Sequence, residues 1–225
     1  LIHFISHEVK GALGKCSNIM SMILEGDFGL APITMTHAVE KGLDHTREAV
    51  EMVTTILLSA NIKDGLLKLD KKRFSLSVAT QKIVEKFKQD TDAKQIVLAF
   101  SAQEGDYDVV GDEEMLTKHV IGNLIDNAIR YTPSGTIAIT LSGDEKTVSL
   151  SVKDSGVGLT DEDKERLFTA GGRGKDSVKV NVNSTGYGLF FAKQLVLKHQ
   201  GTITAESGGR DKGSTFTVTL PRATM

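Results

Sequence analysis

The 225-residue chain has a single cysteine, Cys16. A lone thiol excludes an internal disulfide and a cysteine-based zinc site. No apolar run approaches the ~20 residues that a membrane-crossing helix needs. No long basic run occurs and the net charge is −2, so nucleic acid is not an expected partner. Internal repeats are also lacking. What is present suffices for folding: 40% of the residues are apolar and 25% charged, enough for one or two cores under an ordinary soluble surface. The chain starts at Leu1 inside an apparent helix. It therefore reads as a cytoplasmic fragment, with any sensor or membrane anchor in a missing upstream part.

Ile2, Ile5, Val9, Ala12, Cys16, Ile19 and Ile23 alternate spacings of three and four, which makes a heptad seam. The seam breaks at Gly26-Asp27-Phe28-Gly29, a turn signal. Val39, Leu43, Thr46, Val50, Val53, Leu57 and Ala60 form a second seam. A lone hairpin of two such helices has too little core. Pairing with a second copy as a four-helix bundle supplies one; an unpartnered stalk is the bland alternative. Residues 61–73 are charged and contain Asp64-Gly65, so they read as a link.

Beyond the link the pattern changes. Residues 76–89 read as a helix and 96–100 as a strand. Asp112 is placed to cap a helix running to about Tyr131. Ile137, Ile139 and Leu141, then Val148, Leu150 and Val152, alternate about a turn and predict a hairpin with one buried face. A helix from Gly188 to about His199 follows. Two strands holding Ile203 with Ala205, and Phe216 with Val218 and Leu220, close the chain. The predicted class is α+β: residues 1–65 a helical-hairpin dimerisation domain, residues 74–225 an α/β sandwich with a mixed sheet.

Three short motifs carry chemistry. Asn123 and Asn127 are four apart, so their carboxamides share one helix face. A carboxamide oxygen suits a hard cation such as Mg²⁺, which bridges protein oxygen to phosphate. Asp154 ends a strand and precedes Gly156 and Gly158, where the backbone turns sharply; its carboxylate can accept the amino group of adenine. Gly186 and Gly188 open a helix whose free amides favour phosphate. Separately, each motif reads equally well as surface amides, a plain turn or a loop. In this order they outline a nucleotide pocket. Between Leu167 and Thr185 a Gly-, Ser- and Asn-rich stretch reads as a mobile lid. Phe168 would anchor it by burial, and Arg173 and Lys175 would reach toward phosphates, a solvated loop being the alternative. Gly213-Ser214-Thr215-Phe216 reads as structural.

These residues resemble the ATP-binding domain of sensor histidine kinases, with its N box (GNLIDNAIRY), its DxGxG box (DSGVGL) and its GxGL box (Gly186-Tyr187-Gly188-Leu189). FISHEVKGAL resembles the phosphoacceptor box of the same family. The likeness covers nearly the whole chain. It implies Asn127 as the Mg²⁺ ligand with Asn123 assisting, and Arg130 and Tyr131 as phosphate contacts. It implies Asp154 as adenine acceptor, with Gly156 and Gly158 letting the backbone approach the base. His7 falls at the outer f position of the first seam, where an imidazole nitrogen is free to act as nucleophile. By resemblance Glu8 orients or deprotonates it. The other five histidines read as surface or packing residues. The implied function is ATP-dependent autophosphorylation of His7, then transfer to an aspartate of a response regulator. The alternatives are a GHKL-type ATPase and a nucleotide-binding scaffold dimer. The former needs a carboxylate to activate water where Asn123 stands. Two departures from the family box matter. Ala12 replaces a proline, and Gly11 replaces the Thr or Asn that positions water for dephosphorylating the partner.

Overall fold

In the computed structural model the described residues are 2–30, 32–63, 65–103, 105–172 and 186–224, with side chains described for all of these except 2–8, 34 and 63. The chain forms two compact units, residues 1–67 and 68–225.

The first unit is a pair of helices, α1 (Ile2–Glu25) and α2 (Ile33–Lys63). Helix α1 stops where Gly26 takes φ +84. The Gly26 amide bonds to Ile23 O and the Asp27 amide to Met22 O, the two bonds of a Schellman stop. Met20 packs against Gly42, where an added Cβ would lie 3.1 Å from Met20 Cε. Leu43, Thr46, Thr55, Ser59 and Ile62 are buried on α2. The hydroxyls of Thr46, Thr55 and Ser59 each donate to the carbonyl four residues back, at 2.7–2.9 Å, so no polar group there is stranded. The seams therefore differ from the simple expectation. On α1, Val9, Ala12, Cys16 and Ile19 are exposed, and on α2 the buried residues from Thr55 onward are the small hydroxyls Thr55 and Ser59 together with Ile62, with Leu57 and Ala60 half-buried. The middle of the apolar stripe of α1, from Val9 to Ile19, is therefore exposed.

The second unit is a two-layer sandwich. Its sheet has the order β2-β4-β5-β7-β6, built from β2 (Ile96–Ala102), β4 (Gly135–Gly143), β5 (Thr147–Asp154), β6 (Thr202–Glu206) and β7 (Ser214–Pro221). β2 and β4 are parallel and the remaining pairs antiparallel, so the sheet is mixed. Ile137, Ile139, Leu141, Val148, Leu150 and Val152 are buried on one face, as their alternation predicts. On that face lie α3 (Leu76–Ala93), α5 (Gly122–Tyr131) and α7 (Gly188–Lys198). Three elements were not expected. β1 (Lys72–Ser75) pairs with β3 (Asp108–Gly111), so the supposed link ends earlier than Arg73. A short helix, α6 (Asp161–Arg166), starts at a Thr160–Asp163 capping box.

The predicted helix from Asp112 to Tyr131 is not uniform. Asp112 does cap it, its Oδ1 accepting the Met115 amide at 3.1 Å. The helix then runs as α4 (Glu113–Met115), a π turn (Leu116–Ile121) and α5. The Gly122 amide bonds to Thr117 O, five residues back. A π turn accommodates one extra residue inside an α-helix.

Two histidines pack between this helix and α7. His199 is buried. Its Nδ1 lies 2.7 Å from Leu195 O and its Nε2 accepts the Asp112 amide at 3.0 Å. A carbonyl can only accept, so Nδ1 carries the proton and the ring is neutral. Burial pushes its pKa down; Lys71 also lowers it, while the Leu195 carbonyl and Asp112 oppose. His119 stands edge-on to Phe191 at 5.1 Å, and burial, with Lys118, pushes it down to about 4. Both groups bind protons more readily in the unfolded chain, whose value is near 6.5. Stability is thus fullest above about pH 6.5 and falls as pH drops toward about 4. The urea midpoint of this unit should decline over that window, and His119→Phe should flatten the decline. A midpoint unchanged between pH 7 and 5 would contradict the burial of both rings.

Candidate nucleotide site

On α5, Leu124, Ile125, Ala128 and Ile129 are buried. That leaves Asn123 and Asn127 half-buried on another face. Asn127 Nδ2 donates to Asn123 Oδ1 at 3.3 Å, so the two carboxamides do share a face. Asn123 Nδ2 is buried with no partner among the described residues, which is costly unless something fills the place. The start of α7 abuts the pair: an added Cβ on Gly188 would lie 2.7 Å from Asn123 Oδ1. The Asn127 amide nitrogen is thus committed to Asn123.

Asp154 ends β5 and is buried. Its Oδ1 accepts the Gly156 amide at 2.8 Å and the Ser214 amide at 3.2 Å. Its Oδ2 accepts the Ser214 hydroxyl. The glycines after it have reasons within the protein. At Gly156 a Cβ would lie 2.2 Å from Tyr131 O, and at Gly158 (φ +68) 2.1 Å from Gly209 O. The turn is thus pressed between the end of α5 and the loop at 207–213. The Val157 amide bonds to Tyr131 O, the Asp211 amide to Val157 O, and the Gly213 amide to Gly156 O. Ser207 ties these loops together: its Oγ accepts from the Leu159 and Gly209 amides and donates to Gly213 O at 2.6 Å. Ser207 and Ser214 were missed as site-building residues. The only signal was a serine beside paired glycines, which marks a tight side-chain-bonded turn.

Gly186, at φ +69, passes so close to Gly171 and Gly172 that a Cβ would meet both at 2.7 Å. Helix α7 then begins at Gly188 with no side-chain cap bond from Tyr187, and amides at a helix start favour an anion. Leu189 is half-buried in that first turn. Arg130 pairs with Asp126 at 2.7 Å; burial raises the Asp126 pKa, and Arg130 opposes that rise. Tyr131 contributes its carbonyl to the Val157 amide. Phe168 is half-buried rather than buried, with Lys193 Nζ 5.5 Å over its ring, so a cation–π contact replaces the expected burial. Arg173 and Lys175 lie outside the described residues, as does most of the stretch read as a lid. His7 and Glu8 lie in α1, in the first unit. Among the described residues no cluster of three acidic, His or Cys groups could hold a metal. No described helix is long and apolar enough to cross a membrane.

The amide pair, the buried acceptor and the uncapped helix start all fall in one stretch of sequence. Residues 111–224 match the family described as Histidine kinase-, DNA gyrase B-, and HSP90-like ATPase. The chain belongs to this family. Among its relatives is the sensor histidine kinase RppB of Synechocystis sp., 29% identical over 96% of this chain and 47% of RppB. A full-length ShkA crystal structure in complex with AMPPNP superposes with a TM-score of 0.79 at 20% identity, covering 100% of this chain and 46% of ShkA. The histidine kinase ThkA, solved in complex with the response regulator TrrA, gives 0.67 at 20% identity over 98% of this chain and 60% of ThkA. At such identity the structures share the fold. The chain spans about half the length of the curated relatives RppB and SenX3.

Proposed function

We propose that this chain is the catalytic core of a protein histidine kinase that binds ATP with Mg²⁺ and phosphorylates His7. The observation that carries the reading is the presence of three groups in one ATPase-family unit. These are an asparagine amide with no partner among the described residues, a buried carboxylate held by Ser214, and a helix start without a side-chain cap. In this reading Asp154 accepts the adenine amino group, and the first amides of α7, with Arg130, Tyr131, Arg173 and Lys175, meet the phosphates. Asn127 holds Mg²⁺ through its oxygen, beside Asn123. The cation supplies charge neutralisation on the phosphates. The protein's own work is positioning and charge stabilisation. The γ-phosphoryl group passes to an imidazole nitrogen of His7, oriented by Glu8, and ADP leaves. A response-regulator aspartate is the proposed next acceptor. Incubation with γ-labelled ATP tests the reading: the label should be acid-labile and alkali-stable, as a phosphoramidate is. Absence of label, or an acid-stable one, contradicts it.

The first unit is proposed to dimerise. The exposed stripe Val9, Ala12, Cys16 and Ile19, and the exposed Phe28, Leu30 and Ile33 near the helix-joining turn, support this, since such a surface is an interface signal. Light scattering should give twice the chain mass, and a chain beginning at Lys68 should be a monomer that still binds ATP. A dimer surviving that truncation would place the interface elsewhere.

Phosphatase activity toward the regulator should be weak, because Gly11 has no side chain to hold an attacking water. A Cβ built at Gly11 has nothing within 4 Å, so Gly11→Thr meets no steric obstacle. That variant should speed decay of labelled regulator in the presence of ADP with little effect on autophosphorylation. Fast decay already in the parent chain, unchanged by the substitution, would show that another group positions the water.

A further inference from the structure

Helix α7 packs along the helix formed by α4, the π turn and α5, and the two run in opposite directions. At one end His199 Nε2 accepts the Asp112 amide. Midway Phe191 meets the His119 ring. At the other end Gly188 touches Asn123. The far end is fixed again by neighbours. Asp112 Oδ2 accepts the Asp70 amide at 3.0 Å, and Lys71 Nζ donates to Lys198 O at 2.6 Å. A Cβ on Gly111 would lie 2.9 Å from His199 Cδ2, so the ring packs directly against the Gly111 backbone.

We propose that His119 and His199 are positioning residues for the nucleotide site: through the Phe191 contact and the Asp112 bond they set how closely the first turn of α7 stands against Asn123. This rests on the reading of that end as the phosphate end of an ATP site. The physical argument is leverage. Each ring fixes one of the two other points that define the helix pair. Close-packed helices adopt discrete seats rather than deforming smoothly. Loss of either point therefore lets α7 reseat at its amino end. There the Asn123 amide has no hydrogen-bond partner among the described residues. The adenine side is built from Asp154, Ser207 and Ser214 on other elements, so it is not expected to move with α7. The π turn bears on the same point: it carries His119, and it lies between the Asp112 cap and Asn123.

The test separates the two ends of the ligand. ATP affinity is measured by calorimetry, and adenosine affinity by NMR titration, on the full chain at pH 7.5. His119→Ala removes the ring; His119→Phe keeps an aromatic edge against Phe191. His199→Leu removes both hydrogen bonds; His199→Gln can restore the acceptor for the Asp112 amide. The alanine and leucine variants should lose at least tenfold in ATP affinity with adenosine within about threefold, and the Phe and Gln variants should recover most of the loss. Equal losses for ATP and adenosine, or no loss for either, overturn the proposal and leave the histidines as ordinary core. If His199→Leu does not fold, the His119 pair decides alone, because it leaves every hydrogen bond described here in place. Failure of the parent chain to bind ATP would instead refute the underlying reading of the site.

Discussion

His7→Gln should reduce phosphoryl incorporation to background while leaving ATP binding and self-association as they were. A glutamine amide reaches about as far as the distal imidazole nitrogen but has no lone pair basic enough to attack a phosphoryl group. The loss should therefore be complete rather than graded. ATP binding should survive, because the proposed nucleotide residues lie in the unit formed by residues 68–225, and His7 belongs to α1 in the other. Self-association should survive because the proposed interface is the stripe through Val9, Ala12, Cys16 and Ile19, whereas the heptad register places His7 on a different face. The assay is incorporation from γ-labelled ATP, with calorimetric titration and light scattering as controls. Label that persists in the variant moves the phosphoacceptor away from His7. Loss of label together with loss of ATP binding would make the effect structural.

The parts of this molecule that were legible are those where one physical rule dominates. The β4–β5 hairpin follows from period-two alternation, and its six apolar residues are all buried. Helix α7 follows from Phe191, Ala192, Leu195 and Val196 forming a single buried stripe. Asn123 and Asn127 share a face because four residues are about one helical turn. The parts that were missed depend on tertiary choices. A π turn has no composition of its own; Leu116–Ile121 reads as a good α-helix until packing against α7 is known. Strand β1 is four residues long and charged, so no periodicity marks it. It exists because β3 offers a partner. The α1 seam was legible as apolar periodicity, but periodicity does not say which stripe faces α2. At Gly156 and Gly158, read from the sequence as a sharp turn, the missing side chains make room for the backbone at Tyr131 and Gly209, neighbours that no local pattern reveals. Ser207 and Ser214 were illegible as a pair with Asp154, because the loops they join are about 60 residues apart in sequence from that strand end.

Asp154→Asn should cost ATP affinity about 2 kcal/mol or more, roughly thirtyfold, since a mismatched buried polar contact costs on that order. The fold should tolerate the change. The remaining carbonyl oxygen can still accept the Gly156 and Ser214 amides that now bond to Asp154 Oδ1. The new amide nitrogen replaces Oδ2, which accepts the Ser214 hydroxyl; that hydroxyl can rotate and accept instead of donate. What cannot be repaired is the ligand side. An adenine amino group would meet a donor where it needs an acceptor. GTP presents a carbonyl at the corresponding position of its base. It was poorly matched to the carboxylate and should lose far less, so the ratio of ATP to GTP affinity is the informative quantity. Calorimetric titration of both nucleotides against the parent chain and the variant gives it. Equal losses would mean that Asp154 acts only through its bonds to Gly156 and Ser214, holding the loops together rather than reading the base.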